Sequence, residues 1–207
     1  MSGLYVQYGC GFSAPKGWWN FDSSPVLRFE RIPVLGRVYT KNASRFPENV
    51  RYGDIVKGLP VQPGSCRGIY CSHILEHLAF DDARRALDHT HRYLEAGGTF
   101  RLVVPDLREL ARSYLAEESP TAAHEFMETA SLGSRRRARG MLDLLRLWLG
   151  NSAHLWMWDE KSLTGTLEEH GFVRVRRCAF GDAADPKFRE VEEAERFHNC
   201  LALECSR

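Results

Sequence analysis

Short apolar runs bounded by Gly, Pro and Asp alternate along this chain with stretches whose apolar residues recur at helical spacing. That alternation is the signature of a parallel sheet covered by helices, so the expected fold class is α/β. The apolar runs predict strands at Leu4–Tyr8, Trp18–Phe21, Val50–Tyr52, Gly68–Cys71, Thr99–Val104, Val173–Ala179 and Leu201–Cys205. Between them, "DDARRALDHTHRYLEAGG" sets Ala83, Leu87 and Leu94 near helical spacing and predicts a helix stopped by Gly97 and Gly98. "PDLRELARSYLAEE" opens a helix at Pro105 and Asp106 that breaks before Pro120. "DEKSLTGTLEEHGF" predicts a shorter helix closed by Gly171. Residues 119–158 carry arginines and Leu/Trp side chains at helical spacing and read as a helical insertion, a lid over the sheet's ligand edge.

Composition sharpens this picture. A chain of 207 residues with 43% hydrophobic content can bury one sizeable core but not two, so a single domain over residues 1–207 is expected. A formal net charge of +1 supplies no global field toward nucleic acid or an anionic membrane. The start "MSGLYVQYGCG" lacks the layout of a signal peptide, and no apolar run is long enough to span a bilayer, so a cytoplasmic protein is expected. The six cysteines form no CxxC pair and several lie in strand-like runs, which predicts buried, reduced thiols.

The candidate chemistry starts at the end of the first strand, in "YGCGFSAPKGWWNFD". Gly9, Cys10 and Gly11 fall at the carboxyl edge of the sheet, where open α/β folds bind ligands. Read through Ala14, the stretch satisfies the dinucleotide fingerprint G-x-G-x-x-A. Its spacing does not suit a dinucleotide. Pro15 follows at once, the crossover has room for about one helical turn, and Asp22 comes well short of the ~20 residues expected of a ribose-binding acid. A ligand with a ribose and no phosphate fits better, with Asp22 accepting from two ribose hydroxyls. "VRYGDI" adds Asp54 after the third strand, where a carboxylate can accept from an adenine amino group, with Ile55 to cover the ring. Adenine and ribose without phosphate point to S-adenosylmethionine.

At these residues the chain resembles the class I S-adenosylmethionine-dependent methyltransferases, in particular small bacterial ones of the type 11-like group. The resemblance runs on through "GIYCSHILEHL", "RYLEAGGTFRLVVPDL" and "WDEKSLTGTLEEHGF", and so covers most of residues 4 to 180. It implies a Rossmann-like, mostly parallel seven-stranded sheet with helices on both faces, and S-adenosylmethionine as cofactor. By the family's pattern Gly9 and Gly11, flanked by Tyr8 and Cys10, would pass the cofactor's methionine part. Asp22, beside Ser23, would hold ribose; Asp54 and Ile55 would hold adenine; Cys71, Ser72 and His73 would face the sulfonium. The chain departs from that pattern at Tyr8, where no acid precedes the first glycine, and in its nearly absent first helix.

"HILEH", His73 to His77, also matches the H-x-x-E-H zinc signature. That reading needs both histidines on one helix face and a third ligand; His73 ends a strand and no third ligand stands out, so no metal is expected. Glu76 and His77 read instead as the start and brace of the next helix. Methyl transfer needs a base only if the acceptor must lose a proton, and a histidine titrating near neutrality suits a hydroxyl. The catalytic candidates are His73 and His154, the latter opening "HLWMWD". The expected activity is methyl transfer to an oxygen or nitrogen of a small metabolite or sugar intermediate. The run "SRRRAR", containing Arg135, Arg136, Arg137 and Arg139, would suit an anionic acceptor. The alternative is a non-catalytic, methyltransferase-like binding or regulatory protein; a nicotinamide oxidoreductase and a zinc hydrolase are two further classes.

Overall fold

The computed structural model describes residues 3–33, 45–133, 140 and 153–207. Its strands are β1 (Leu4–Tyr8), β2 (Trp19–Asp22), β3 (Val50–Tyr52), β4 (Cys66–Ser72), β5 (Leu94–Pro105), β6 (Val173–Arg177) and β7 (Cys200–Ser206). They form one seven-stranded sheet in the order β3-β2-β1-β4-β5-β7-β6. The pairings among β1 to β5 are parallel, and β7 lies antiparallel to both β5 and β6. Among the described residues the helices are α1 (Pro25–Glu30), α2 (Phe80–Tyr93), α3 (Leu107–Ala116), α4 (Ala122–Thr129) and α5 (Glu160–Glu169).

Strand alternation builds two apolar layers. Val6, Tyr8, Ile69, Phe100, Leu102 and Val104 face Ala83 and Leu87 of α2 and Leu163 and Leu167 of α5 in the principal core. The opposite face offers Trp18, Tyr70, Val103 and Ala202, against which pack Ala183, Phe188 and Val191. Those last three belong to the β6–β7 connection. It covers this face because residues 9–18 cross from β1 to β2 through turns alone, with no helix at all. Even the single turn of helix expected there is absent.

Three other expectations need correction. The second strand begins at Trp19, one residue late, and takes in Asp22, which pairs with Tyr52. The sixth ends at Arg177, not Ala179. Helix α2 ends at Tyr93, not at the glycines: Leu94 is already extended and pairs with Cys66, and Gly97 and Gly98 belong to β5. Gly98 is needed there because an added Cβ would stand 2.8 Å from the Cys66 carbonyl oxygen. Helix α3 starts as expected, its first N–H groups donating to the Asp106 carboxylate. Of the expected insertion, α4 is described, and the basic run Arg135, Arg136, Arg137 and Arg139 lies outside the described residues. All six cysteines are free. No helix among the described residues is long and apolar enough to cross a membrane.

Candidate active site

Strand register gathers the sequence's candidates at one edge. Tyr8 pairs with Phe21 on one side and Cys71 on the other, and Asp22 with Tyr52, so the segments after β1, β2, β3 and β4 leave the sheet together. The turn after β1 holds Gly9 at φ 67° and Gly11 at φ 54°, in the left-handed region that glycine enters without strain. Cys10 N–H donates to the Phe21 carbonyl at 3.1 Å, which ties the turn to β2. Burial, then the nearby Asp22 carboxylate, push the Cys10 thiol up to about 12, so it stays protonated.

Asp22 is the hinge of this corner. Its Oδ2 accepts from Gly11 N–H at 2.9 Å and its Oδ1 from Ser24 N–H at 2.7 Å. A carboxylate oxygen has two lone pairs, so both oxygens can still accept from a diol. Ser23, beside it, is exposed, and Ser24 caps α1 by accepting from Val26 N–H. An added Cβ on Gly11 would meet nothing within 4 Å, so bare backbone faces open space beside the carboxylate. These are the features a ribose-containing ligand requires.

After β3, Asp54 accepts from Val56 N–H at 3.0 Å and pairs with Lys57 Nζ at 2.9 Å. Ile55 packs into the principal core, and its carbonyl lies 2.7 Å from His89 Nδ1. After β4, Cys71 is fully buried in the core and Ser72 is buried beside the turn. A narrow cleft runs past Gly9, Cys10 and Ser72 to Glu193 and Arg196 of the β6–β7 connection. No local signal along the chain places that connection here. Its Glu193 and Arg196 are ion-paired at 2.9 Å. Larger concavities lie elsewhere, one at the amino-terminal edge around Leu4 and Lys16, one between α3 and α4, and neither touches the glycine turn.

His73 sits at φ 55° and its N–H donates to the Val103 carbonyl at 2.8 Å, turning the chain off the sheet. Its Nδ1 lies 3.2 Å from Glu76 Oε1, and its Nε2 lies 3.1 Å from the Arg196 carbonyl. Burial opposes charge on this ring, but the Cys200 thiol, the Glu76 carboxylate and the Arg196 carbonyl outweigh it and raise its pKa to about 10. At neutral pH His73 is therefore a charged donor with both nitrogens engaged, where a base titrating near neutrality was expected.

The rest of "HILEH" departs from the sequence reading. Leu75–His77 is a single 3-10 turn separate from α2, whose N-cap is Ala79. Glu76 thus caps no helix, and His73 and His77 share no helix face. Instead Glu76 points inward, fully buried, and neither carboxylate oxygen has an aligned hydrogen-bond donor. The Glu76 carbonyl accepts from Leu155 N–H at 2.7 Å and Trp156 N–H at 3.2 Å, which clamps the preceding residue, His154, over this turn. The His77 and His154 rings meet edge to face, 4.9 Å apart. One ligand atom each of Glu76, His77 and His154 lie within 4.8 Å of one another. Burial pushes the His154 pKa below its ordinary value. His154, 77 residues after His77 in the chain, joins this group through a contact that the sequence did not reveal.

A parallel sheet closed by an antiparallel β7, with a glycine turn and an acid at its carboxyl edge, defines the class I methyltransferase fold. A family model described as a methyltransferase domain matches residues 9–176. The chain belongs to that methyltransferase family. Among solved structures it is similar to a SAM-dependent methyltransferase from Archaeoglobus fulgidus, with 14% identity, TM-score 0.54, and coverage of 99% of this chain and 86% of that one. A complex of the Haloferax volcanii Trm112 methyltransferase activator with a methyltransferase gives 18% identity and TM-score 0.51, covering 99% and 82%. A SAM-dependent methyltransferase from Thermotoga maritima gives 15% identity and TM-score 0.50, covering 100% and 83%. No curated protein matches the chain.

Proposed function

We propose that the chain transfers the methyl group of S-adenosylmethionine to an oxygen or nitrogen of a small metabolite or sugar intermediate. One observation carries the cofactor assignment. The Asp22 carboxylate is fixed by two backbone N–H groups beside bare Gly11, with lone pairs left for a ribose diol and no helix opening from the glycine turn to receive a pyrophosphate. Bound there, the cofactor supplies an electrophilic methyl on a sulfonium. Gly9 and Gly11, between Tyr8 and Cys10, line its methionine part. Asp54, with Ile55 behind it, meets adenine, and Ser72 and His73 face the reacting end. Much of the catalysis then comes from holding an acceptor in line with the methyl. His154, whose Nδ1 has no hydrogen-bond partner, is the base candidate for a hydroxyl or amine acceptor on the same edge, with His73 as a charged donor beside it.

The test is calorimetric titration of the protein with S-adenosylmethionine and S-adenosylhomocysteine, with Asp22→Ala and Asp54→Ala alongside. Losing hydrogen bonds to a charged acceptor costs about 1.5–3 kcal/mol, or roughly 10- to 150-fold in Kd. Micromolar binding weakened by that factor in both variants is expected. Absence of binding to the unaltered protein sinks the reading, and the non-catalytic alternative takes its place.

A further inference from the structure

We propose that Glu76, His77 and His154 bind a divalent first-row transition-metal ion. The buried carboxylate is the first reason. Glu76 is 0% exposed and both of its oxygens lack a hydrogen-bond donor. His73 Nδ1, at 3.2 Å from Oε1 but out of alignment, is its ion-pair contact, and Oε2 has none. His73 faces Oε1 alone, so Oε2 is left uncompensated, and a buried carboxylate in that state is costly until a further cation reaches it.

The histidines are the second reason. His77 Nδ1 lies 3.1 Å from the Ala153 carbonyl, so the ring proton sits on Nδ1 and Nε2 keeps its lone pair. An imidazole whose second nitrogen is held by a carbonyl is the arrangement that orients metal ligands. His154 Nδ1 is buried and has no partner. Three polar side chains from two distant segments thus converge with coordinating atoms to spare. Ligands about 2.1 Å from a common ion stand roughly 3–3.5 Å apart, so separations within 4.8 Å need to shorten by no more than about 2 Å.

Donor chemistry sets the metal class. Two imidazoles and one carboxylate favour zinc, iron(II), cobalt(II), manganese(II) or nickel(II) over magnesium and calcium, which take oxygen ligands. Three protein ligands leave open positions, as at catalytic rather than structural sites. The ion's role, unlike its binding, rests on the methyltransferase reading: an open position holds the acceptor's oxygen or nitrogen at the sheet edge and lowers the pKa of a hydroxyl so that its proton leaves to water. That would remove the need for a base titrating near neutrality, a task for which His73 has no free nitrogen.

The experiment strips the full chain with a chelator, then titrates it with cobalt(II) chloride followed by visible absorption, and with zinc chloride by calorimetry. S-adenosylhomocysteine binding is measured on the same samples. One ion per chain is expected, with absorption of low-coordinate cobalt bearing nitrogen ligands. Glu76→Gln and His154→Ala should each weaken binding by about 100-fold or more, since deleting a ligand exceeds the ~10- to 100-fold cost of losing its supporting contact. His154→Ala alters a residue near the surface, so a fall in its ion binding with S-adenosylhomocysteine binding retained supports the site even if Glu76→Gln fails to fold. Failure of the unaltered chain to bind an ion stoichiometrically, or binding unchanged in His154→Ala, overturns the proposal. Ion binding without S-adenosylhomocysteine binding would support the metal site and defeat the methyltransferase reading; the reverse would defeat the site alone.

Discussion

Gly9 and Gly11 lie in one turn and share a left-handed backbone, but different constraints act on their missing side chains. A Cβ on Gly9 would fall 2.0 Å from Ile74 Cδ1, whereas one on Gly11 would meet nothing within 4 Å. Both alanine variants incur the left-handed cost of about 1–2 kcal/mol. Gly9→Ala adds overpacking of about 1–3 kcal/mol as Ile74 is displaced. Urea denaturation should therefore show Gly9→Ala as the less stable variant, and adding Ile74→Ala, which removes both the Cδ1 at 2.0 Å and the Cγ1 at 2.2 Å, should relieve only the packing part. Ligand binding should rank them differently: Gly11→Ala keeps most of its stability yet places a methyl group where the cofactor's backbone-facing part would lie. Its S-adenosylhomocysteine affinity should fall by more than its stability loss accounts for. Equal stabilities in the two variants would show that the contact with Ile74 does not shape the turn.

Helix α5 shows what a local sequence can specify. Asp159 accepts from Ser162 N–H at 2.8 Å, and Ser162 Oγ accepts from Asp159 N–H at 3.2 Å, a reciprocal capping box. Hydrogen bonds from Ser162, chiefly its backbone N–H, hold the Asp159 carboxyl below its ordinary 3.8. A depressed acid stabilises the fold above its unfolded pKa and loses that contribution as pH falls through the folded one. Asp159→Ala should cost about 1 kcal/mol at pH 7, and the difference from the parent should shrink below a pH of about 4; denaturant titrations at both pH values measure it. This helix, with its cap and Gly171 at its end, was readable because every signal is within a few residues. The end of α2 was not. Gly97 and Gly98 imitate a terminator, but Tyr93 Oη accepts from Leu59 N–H at 2.8 Å and Leu94 pairs with Cys66, and these distant partners stop the helix first. The same limit hid the Glu76–His154 approach, which depends on backbone hydrogen bonds across more than 70 positions of chain. The succession of strands along the chain and the glycine turn with its acid were legible because hydrophobic period and glycine position are local quantities; which side chains converge is not.

Across the whole molecule, the short β1–β2 crossover has a consequence at the far end of the chain. With no helix in that crossover, the β6–β7 connection supplies the second apolar layer, and a buried arginine anchors it. Arg101, in the middle of β5, is 0% exposed and reaches Glu192 through Nε, Glu204 Oε2 at 2.7 Å, and Asp182 Oδ1 at 2.9 Å. Its Nη2 also donates to the Ala179 carbonyl at 2.7 Å. Burying these charges is worthwhile only while they remain paired. Arg101→Ala strands the fully buried Glu192 carboxylate and should cost about 3–5 kcal/mol, whereas Arg101→Met with Glu192→Gln removes both charges and should recover much of that loss. The same connection carries Glu193 and Arg196 to the cleft beside Gly9 and presents the Arg196 carbonyl to His73. Loosening the anchor should therefore open residues 178–199 to proteolysis and weaken S-adenosylhomocysteine binding, although Arg101 lines no part of the cleft. An Arg101→Ala variant with loosened cover but unchanged affinity would show that the connection serves the core alone. Reduced affinity would mean that the segment replacing the first crossover helix also completes the site that the short crossover leaves open.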